Sequence, residues 1–124
     1  MEPVYLFDLA SRHANWASVR QSVLTSNVAN ANTPGYKAKD IESFDDVMRK
    51  SVSMTVTDPQ HLSSGIGTFR QAEDGSNDAE VLVSGNDVNL EQEFLKSNDV
   101  MRSYSMNTQI MRTFDRMLQS VTKA

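Results

Sequence analysis

The stretch Ser26-Asn27-Val28-Ala29-Asn30-Ala31-Asn32-Thr33-Pro34-Gly35-Tyr36-Lys37 decides the fold of this 124-residue chain. Three asparagines interrupt an otherwise helical run, which stops at Pro-Gly. Asparagine is a poor interior helix former because its amide competes for nearby backbone groups, so three together point to a second task such as holding another segment. Pro34 disfavours helix at Thr33, and Pro-Gly at successive central positions favours a type II turn.

Upstream, the chain reads as one long helix over about Val4 to Ala31. Leu6, Leu9, Ala10, Ala14, Trp16, Ala17, Val23, Leu24 and Val28 form a broad apolar stripe. Leu9, Trp16, Val23 and Asn30 fall one heptad apart. At the far end, Asn89 is a good N-cap with Gln92 in the capping-box position, and Glu91 and Glu93 suit the positive end of a helix dipole. The helix that follows is read with a seam at Leu90, Phe94, Met101, Tyr104, Met111, Phe114, Leu118 and Val121, in steps of three, four or seven. Leu95, Met106, Ile110 and Met117 lie off that seam, so this helix is apolar on more than one side. Two helices packed only on each other leave such residues over, and the remainder calls for further protein partners; cover by the middle of the chain is the plainer alternative.

The middle is short-ranged and polar. Ser43, with Asp46 three residues on and Phe44, Val47 and Met48 between and after, predicts a capped helix of one or two turns. Ser51 to Thr57 alternates with the period of a half-buried strand and ends at Asp58-Pro59, while Thr68 to Gln71 and Glu80 to Ser84 are weaker strand candidates. The expected fold is mainly α: a coiled-coil-like hairpin of long N- and C-terminal helices with a short irregular or β middle. One domain spans 1–124, divided into a helix and Asn-rich turn (1–36), a middle segment (37–88) and a C-terminal helix (89–124).

Composition narrows function. The net charge is −4 and no basic cluster is present, which argues against nucleic acid as a partner. Between Asp40 and Val88 ten acidic residues face three basic ones, whereas Asn89 to Ala124 holds four and five. Nearly neutral ends can approach copies of themselves without much repulsion, although a merely solvated acidic middle gives the same pattern. The absence of cysteine excludes disulfides and thiolate chemistry. The start lacks a basic and apolar leader pattern, and no apolar run nears the roughly 20 residues that span a bilayer. His13 and His61 have no metal-ligand spacing, Gly65-Ile66-Gly67 lacks the rest of a nucleotide loop, and Asp45-Asp46 and Glu73-Asp74 read as solvated carboxylates. No enzyme activity, cofactor, metal or small-molecule substrate is expected.

The run from Ser26 to Asp40, ending Asn-Thr-Pro-Gly-Tyr-Lys-Ala-Lys-Asp, resembles the N-terminal signature of bacterial flagellar axial proteins, the rod and hook group. Ile41, Phe44, the short middle and the Gly85-Asn86-Asp87-Val88-Asn89-Leu90-Glu91 approach to the last helix are similar to a short subunit of the proximal rod. In the other short rod subunit an Ala-Ser-Arg-Ser-Tyr-Gln-Ala-like run is expected, and Val100 to Met106 matches only its Arg-Ser-Tyr part.

This resemblance implies a structural protein of the flagellar basal body, exported through the flagellar type III apparatus without a cleaved signal peptide. It would polymerise in the periplasmic space with itself, other rod and axial proteins and the export-gate junction, and transmit torque. On this reading Asn27, Asn30, Asn32, Thr33, Pro34, Gly35 and Tyr36 form an assembly motif. Leu9, Trp16, Val23, Leu24 and Val28 join the C-terminal seam as the helix interface. A two-helix export adaptor or chaperone is the competing expectation, since it shares the amphipathic helices but has no need of the Asn-Thr-Pro-Gly turn.

Overall fold

A computed structural model describes residues 3–52, 71–73 and 84–123. In chain order these form α1 (Pro3–Ala29), β1 (Lys39–Ile41), α2 (Phe44–Val52), β2 (Gln71–Glu73) and α3 (Leu90–Thr122). The long terminal helices pack side by side, as their periodicity predicts, β1 and α2 lie against α1, and β2 pairs with β1.

The two long helices run antiparallel. Phe7 meets Phe114 edge-on at 5.5 Å near one end, and Asn27 meets Glu93 at the other. Between them the rungs are polar. Asn107 Nδ2 donates to Ala10 O at 3.1 Å, His13 Nε2 and Ser103 Oγ are 2.9 Å apart, and Gln21 and Ser97 exchange bonds of 2.9 and 3.1 Å. Small or polar residues on α1 at these levels let the backbones approach and ask for polar partners in return. The face of α3 that answers is therefore the heptad line Glu93, Val100, Asn107 and Phe114.

This corrects the expected seam. Leu90, Phe94, Met101, Tyr104 and Val121 are exposed, Phe94 at 59% and Met101 at 62%. Met111, Phe114 and Leu118 are partly buried. Apolar spacing alone cannot tell a face used within the chain from one left outside it, and here small and polar side chains selected the inner face.

On α1, Ala10, Trp16, Ala17, Val23 and Leu24 are buried, and Leu9 and Val28 are partly so. Trp16, Ala17, Val23, Leu24, Ile41 and Val100 form the core, with Val19, Phe44 and Val47 packed against it. Trp16 Nε1 donates to Glu42 O at 2.9 Å, and Arg20 grips the Asp40 carboxylate with two bonds of 3.1 and 2.9 Å while stacking over the Trp16 ring. A paired fork of this kind fixes orientation as well as charge.

Caps follow the sequence closely. Asn89 Oδ1 accepts from Glu91 N and Gln92 N, and Ser43 Oγ accepts from Asp46 N while donating to the Asp46 carboxylate. In α2 the acidic first turn, the basic last turn and the Asp45–Arg49 pair favour helix. Ser51 and Val52 accordingly close α2 instead of opening a strand; residues 53–57 of that expectation lie outside the described residues, as do 68–70 and 80–83 of the weaker strands. Gln71 opens β2, whereas Ser84 lies in a turn. Sequence reading missed β1, which pairs antiparallel with β2 in the register Lys39↔Glu73, Asp40↔Ala72 and Ile41↔Gln71.

Two outcomes are expected. Leu24 is 1% exposed, so Leu24→Ala should cost about 2–5 kcal/mol in urea unfolding, whereas Leu95→Ala at an exposed site should stay within about 0.5 kcal/mol. His13 sits against Phe44, Trp16 and Ser103 with Nδ1 buried and unbonded, and desolvation holds its pKa below the usual 6.5. A depressed histidine pKa means the unfolded chain takes up the proton first, so this contribution is complete above pH 6.5 and is lost as pH falls. Between pH 7.5 and 5.5 the wild-type chain should lose more stability than His13→Phe; parallel profiles would refute the assignment.

Candidate functional site

The asparagine-rich stretch folds into a joint where α1 ends, β1 begins and the chain re-enters α3. Its centre is Asn27, fully buried in the last turns of α1. Its Nδ2 donates to Lys39 O at 2.6 Å and Glu93 Oε2 at 3.0 Å, and its Oδ1 accepts from Lys39 N at 3.0 Å and Tyr36 OH at 3.2 Å. An amide has two donors and room for two acceptances, and all four are used. Toward Lys39 the side chain presents a carbonyl and an N–H together, as a neighbouring strand would. One residue thus binds α1 to β1, to the chain leaving the turn, and to α3.

Glu93, read from sequence as a dipole-facing carboxylate, is instead fully buried. Its Oε2 takes the Asn27 bond, and its Oε1 lies 3.7 Å from the mostly buried Lys96 ammonium. A buried charge is tolerated only with such partners. Its heptad spacing, one repeat before Val100 and two before Asn107, was the available signal that it faces inward.

Asn30 caps locally: its Nδ2 donates to Ser26 O at 2.8 Å and its Oδ1 accepts from Thr33 Oγ1 at 3.1 Å. Asn32, Thr33, Pro34 and Gly35 are exposed. Tyr36 N bonds Thr33 O at 3.2 Å and Gly35 has φ +73°, the hydrogen bond and third-residue angle of a type II turn.

The other half of the joint escaped sequence reasoning. Asn86, 1% exposed, donates from Nδ2 to Asn30 O and Thr33 O, both at 2.8 Å, and accepts from Val88 N through Oδ1. It gives a second bond to the Asn30 and Thr33 carbonyls just beyond α1, which already accept from Thr33 N and Tyr36 N. Asp87 accepts from Ala38 N at 2.7 Å and lies 3.9 Å from Lys37 Nζ. Gly35 N donates to Ser84 O at 2.8 Å, and a Cβ on Gly85 (φ +78°) would stand 3.6 Å from Gly35 Cα, so the two reversals touch back to back. No local spacing marks Asn86 as the partner of a helix end more than 50 residues away.

The joint is a fastening and offers no bond-making chemistry. Among the described residues no three metal-ligating side chains converge, and no helix is long and apolar enough to cross a membrane.

These features define a helical structural protein built around a fastened pair of terminal segments. The family described as flagella basal body rod protein matches residues 10–37, and the C-terminal family of flagellar basal body rod FlgEFG proteins matches residues 82–124. Those are the two stretches that meet at the joint. The flagellar basal body rod protein FlgB of Agrobacterium fabrum is 40% identical over 129 aligned positions, covering 99% of this chain and 96% of that protein. FlgB of Escherichia coli is 32% identical over 103 positions, 75% of each chain, and FlgB of Salmonella typhimurium 25% over 112, 78% of each. The chain belongs to the flagellar basal body rod protein family. It is a structural subunit of the rod, not an enzyme, and within the family it is similar to FlgB.

Removing the central amide tests the joint. Asn27→Leu strands the Lys39 backbone groups, the Tyr36 hydroxyl and the Glu93 carboxylate, and should cost more than about 3 kcal/mol. The corresponding change at exposed Asn32 should be nearly silent in the same unfolding experiment.

Proposed function

We propose that this subunit polymerises through its terminal helices with itself and with other rod proteins, next to the export-gate junction, in the periplasmic part of the basal body. There it carries torque. Export by the flagellar apparatus fits the resemblance noted from the sequence.

The observation that carries this reading is the outer surface of α3. Leu90, Phe94, Met101, Tyr104, Met106 and Ile110 are between 44% and 62% exposed on one helix, while the face it gives to α1 sets Glu93, Ser97, Ser103 and Asn107 beside only Val100 and Phe114. A monomer with no further partner would invert that arrangement, because burying apolar surface yields about 25 cal/mol per Å². Exposed apolar side chains in this number on one helix mark protein contact. Torque transmission asks for many such contacts per subunit and for no ligand pocket.

Basal bodies isolated from cells whose sole copy carries Tyr104→Asp with Met106→Asp test the proposal. Both residues are exposed, so the chain should still fold, yet it should be missing from the rods and the cells should not swim. Normal incorporation and swimming would overturn assembly through α3.

A further inference from the structure

Three helices meet at His13. Its ring stands 4.9 Å from Phe44 of α2 and 5.7 Å from Trp16 on its own helix, and Nε2 lies 2.9 Å from Ser103 Oγ of α3. Nδ1 is closed from solvent and has no bonding partner. Whichever group donates between Nε2 and Ser103, the neutral ring leaves Nδ1 idle. The imidazolium needs an acceptor at both nitrogens, and Ser103 can serve only one.

Among the described residues no carboxylate supplies the second acceptor. On α1, Asp8 pairs with Arg12, and Arg20, whose guanidinium lies over the Trp16 ring, pairs with Asp40. On α2, Asp45 pairs with Arg49 and Asp46 is bonded to Ser43, while Glu42 just before that helix pairs with Lys50. On α3, Asp99 and Arg102, the charges nearest Ser103 along the chain, are exposed. A proton on Nδ1 therefore has to reach water, and one of the neighbouring helices has to move.

Those helices are not held equally. On either side of Ser103, α3 is tied to α1 through Asn107 and Ala10, Ser97 and Gln21, and Glu93 and Asn27. By contrast α2 is nine residues long and rests on the core through Phe44 and Val47. Local opening takes the element with the fewest buried contacts first.

We infer that His13 is a pH-sensitive latch on α2: a proton at Nδ1 is accommodated by α2 swinging off α1, with the α1–α3 pair and the Asn27 joint left closed. The pivot is Glu42-Ser43, between buried Ile41 and Phe44, and the Ser43 cap travels with the helix because its bonds are internal to it. The closed form resists the proton, burial holding the His13 pKa below 6.5, and the open form takes it at the ordinary value. Acidification below pH 6.5 thus favours opening by up to about tenfold per pH unit, until the closed form is protonated as well. This is a property of the single chain and does not depend on assembly.

Hydrogen exchange of the purified full-length chain between pH 7.5 and 5.5, corrected for the intrinsic pH dependence of exchange, tests the latch. Protection of the Met48 to Val52 amides should fall by up to about tenfold per unit below pH 6.5, while the amides of α3 from Ser97 to Ile110 hold theirs. In His13→Gln, which can still bond Ser103 but takes no charge in this range, and in His13→Phe, which fills the same site, the fall should vanish. Protection of α2 that ignores pH in the wild-type chain, an equal loss in α3, or the same fall in both variants would overturn the latch. The single tryptophan gives a second reading: Trp16 lies 5.7 Å from His13 and 5.8 Å from Phe44, so its emission should move to the red over this range in the wild-type chain and in neither variant. Emission that stays in place would equally exclude release of α2.

Discussion

Everything in this fold hangs on one buried amide. Asn27 spends two donors and two acceptances on four groups of three residues, Tyr36, Lys39 and Glu93, and its own side chain is closed off from water. Hydrogen bonds add little net stability to a fold, but leaving such groups unmade is costly. The amide therefore acts chiefly by exclusion: any register of α1 on α3 that separates Asn27 from Glu93 and Lys39 strands several polar groups at once. A leucine core would tolerate a slip of one turn far better. In this chain the apolar part of the core is small, and polar specificity takes over the alignment that shape would otherwise provide.

The same economy explains the composition of the helix pair. The rungs Ala10–Asn107, His13–Ser103 and Gln21–Ser97 use little apolar surface, which leaves the larger hydrophobic residues of α3 for the outside. A subunit of a filament has two packing problems, one inside itself and one between copies. Here the inner one is solved largely with small and polar side chains, and methionine, leucine and aromatic residues stay exposed for the outer one under the proposed assembly. Met101, Met106 and Met117, exposed on α3, suit the second role, since flexible side chains adapt to a partner's surface.

Local signals were legible in the sequence, and distant ones were not. Pro34-Gly35, the Asn89 cap, the Ser43 cap and the α1 stripe each encode their outcome within a few residues, because caps and turns are short-range hydrogen-bond problems. The three asparagines were recognisable as unusual, yet only one of them proved central: nothing local distinguishes buried Asn27 from exposed Asn32. The orientation of α3 was misread because its strongest apolar line faces outward, and Glu93 was misread because a carboxylate at a helix start has a satisfactory explanation in the dipole alone. Asn86 and β1 depend on contacts that cross the whole middle segment, and no periodicity reports those.

The back-to-back contact of Gly35 and Gly85 has a consequence for how such a chain can vary. Exit from the first helix and return to the last are pinned at a single point, so everything between them is a loop closed at its neck. Ile41, Phe44 and Val47 tie the start of that loop into the core, but added length beyond α2 costs the helix pair little: each doubling adds only about 0.6 kcal/mol of closure entropy. The chain can thus be lengthened or trimmed between α2 and α3 while the fastened pair of terminal helices stays the same.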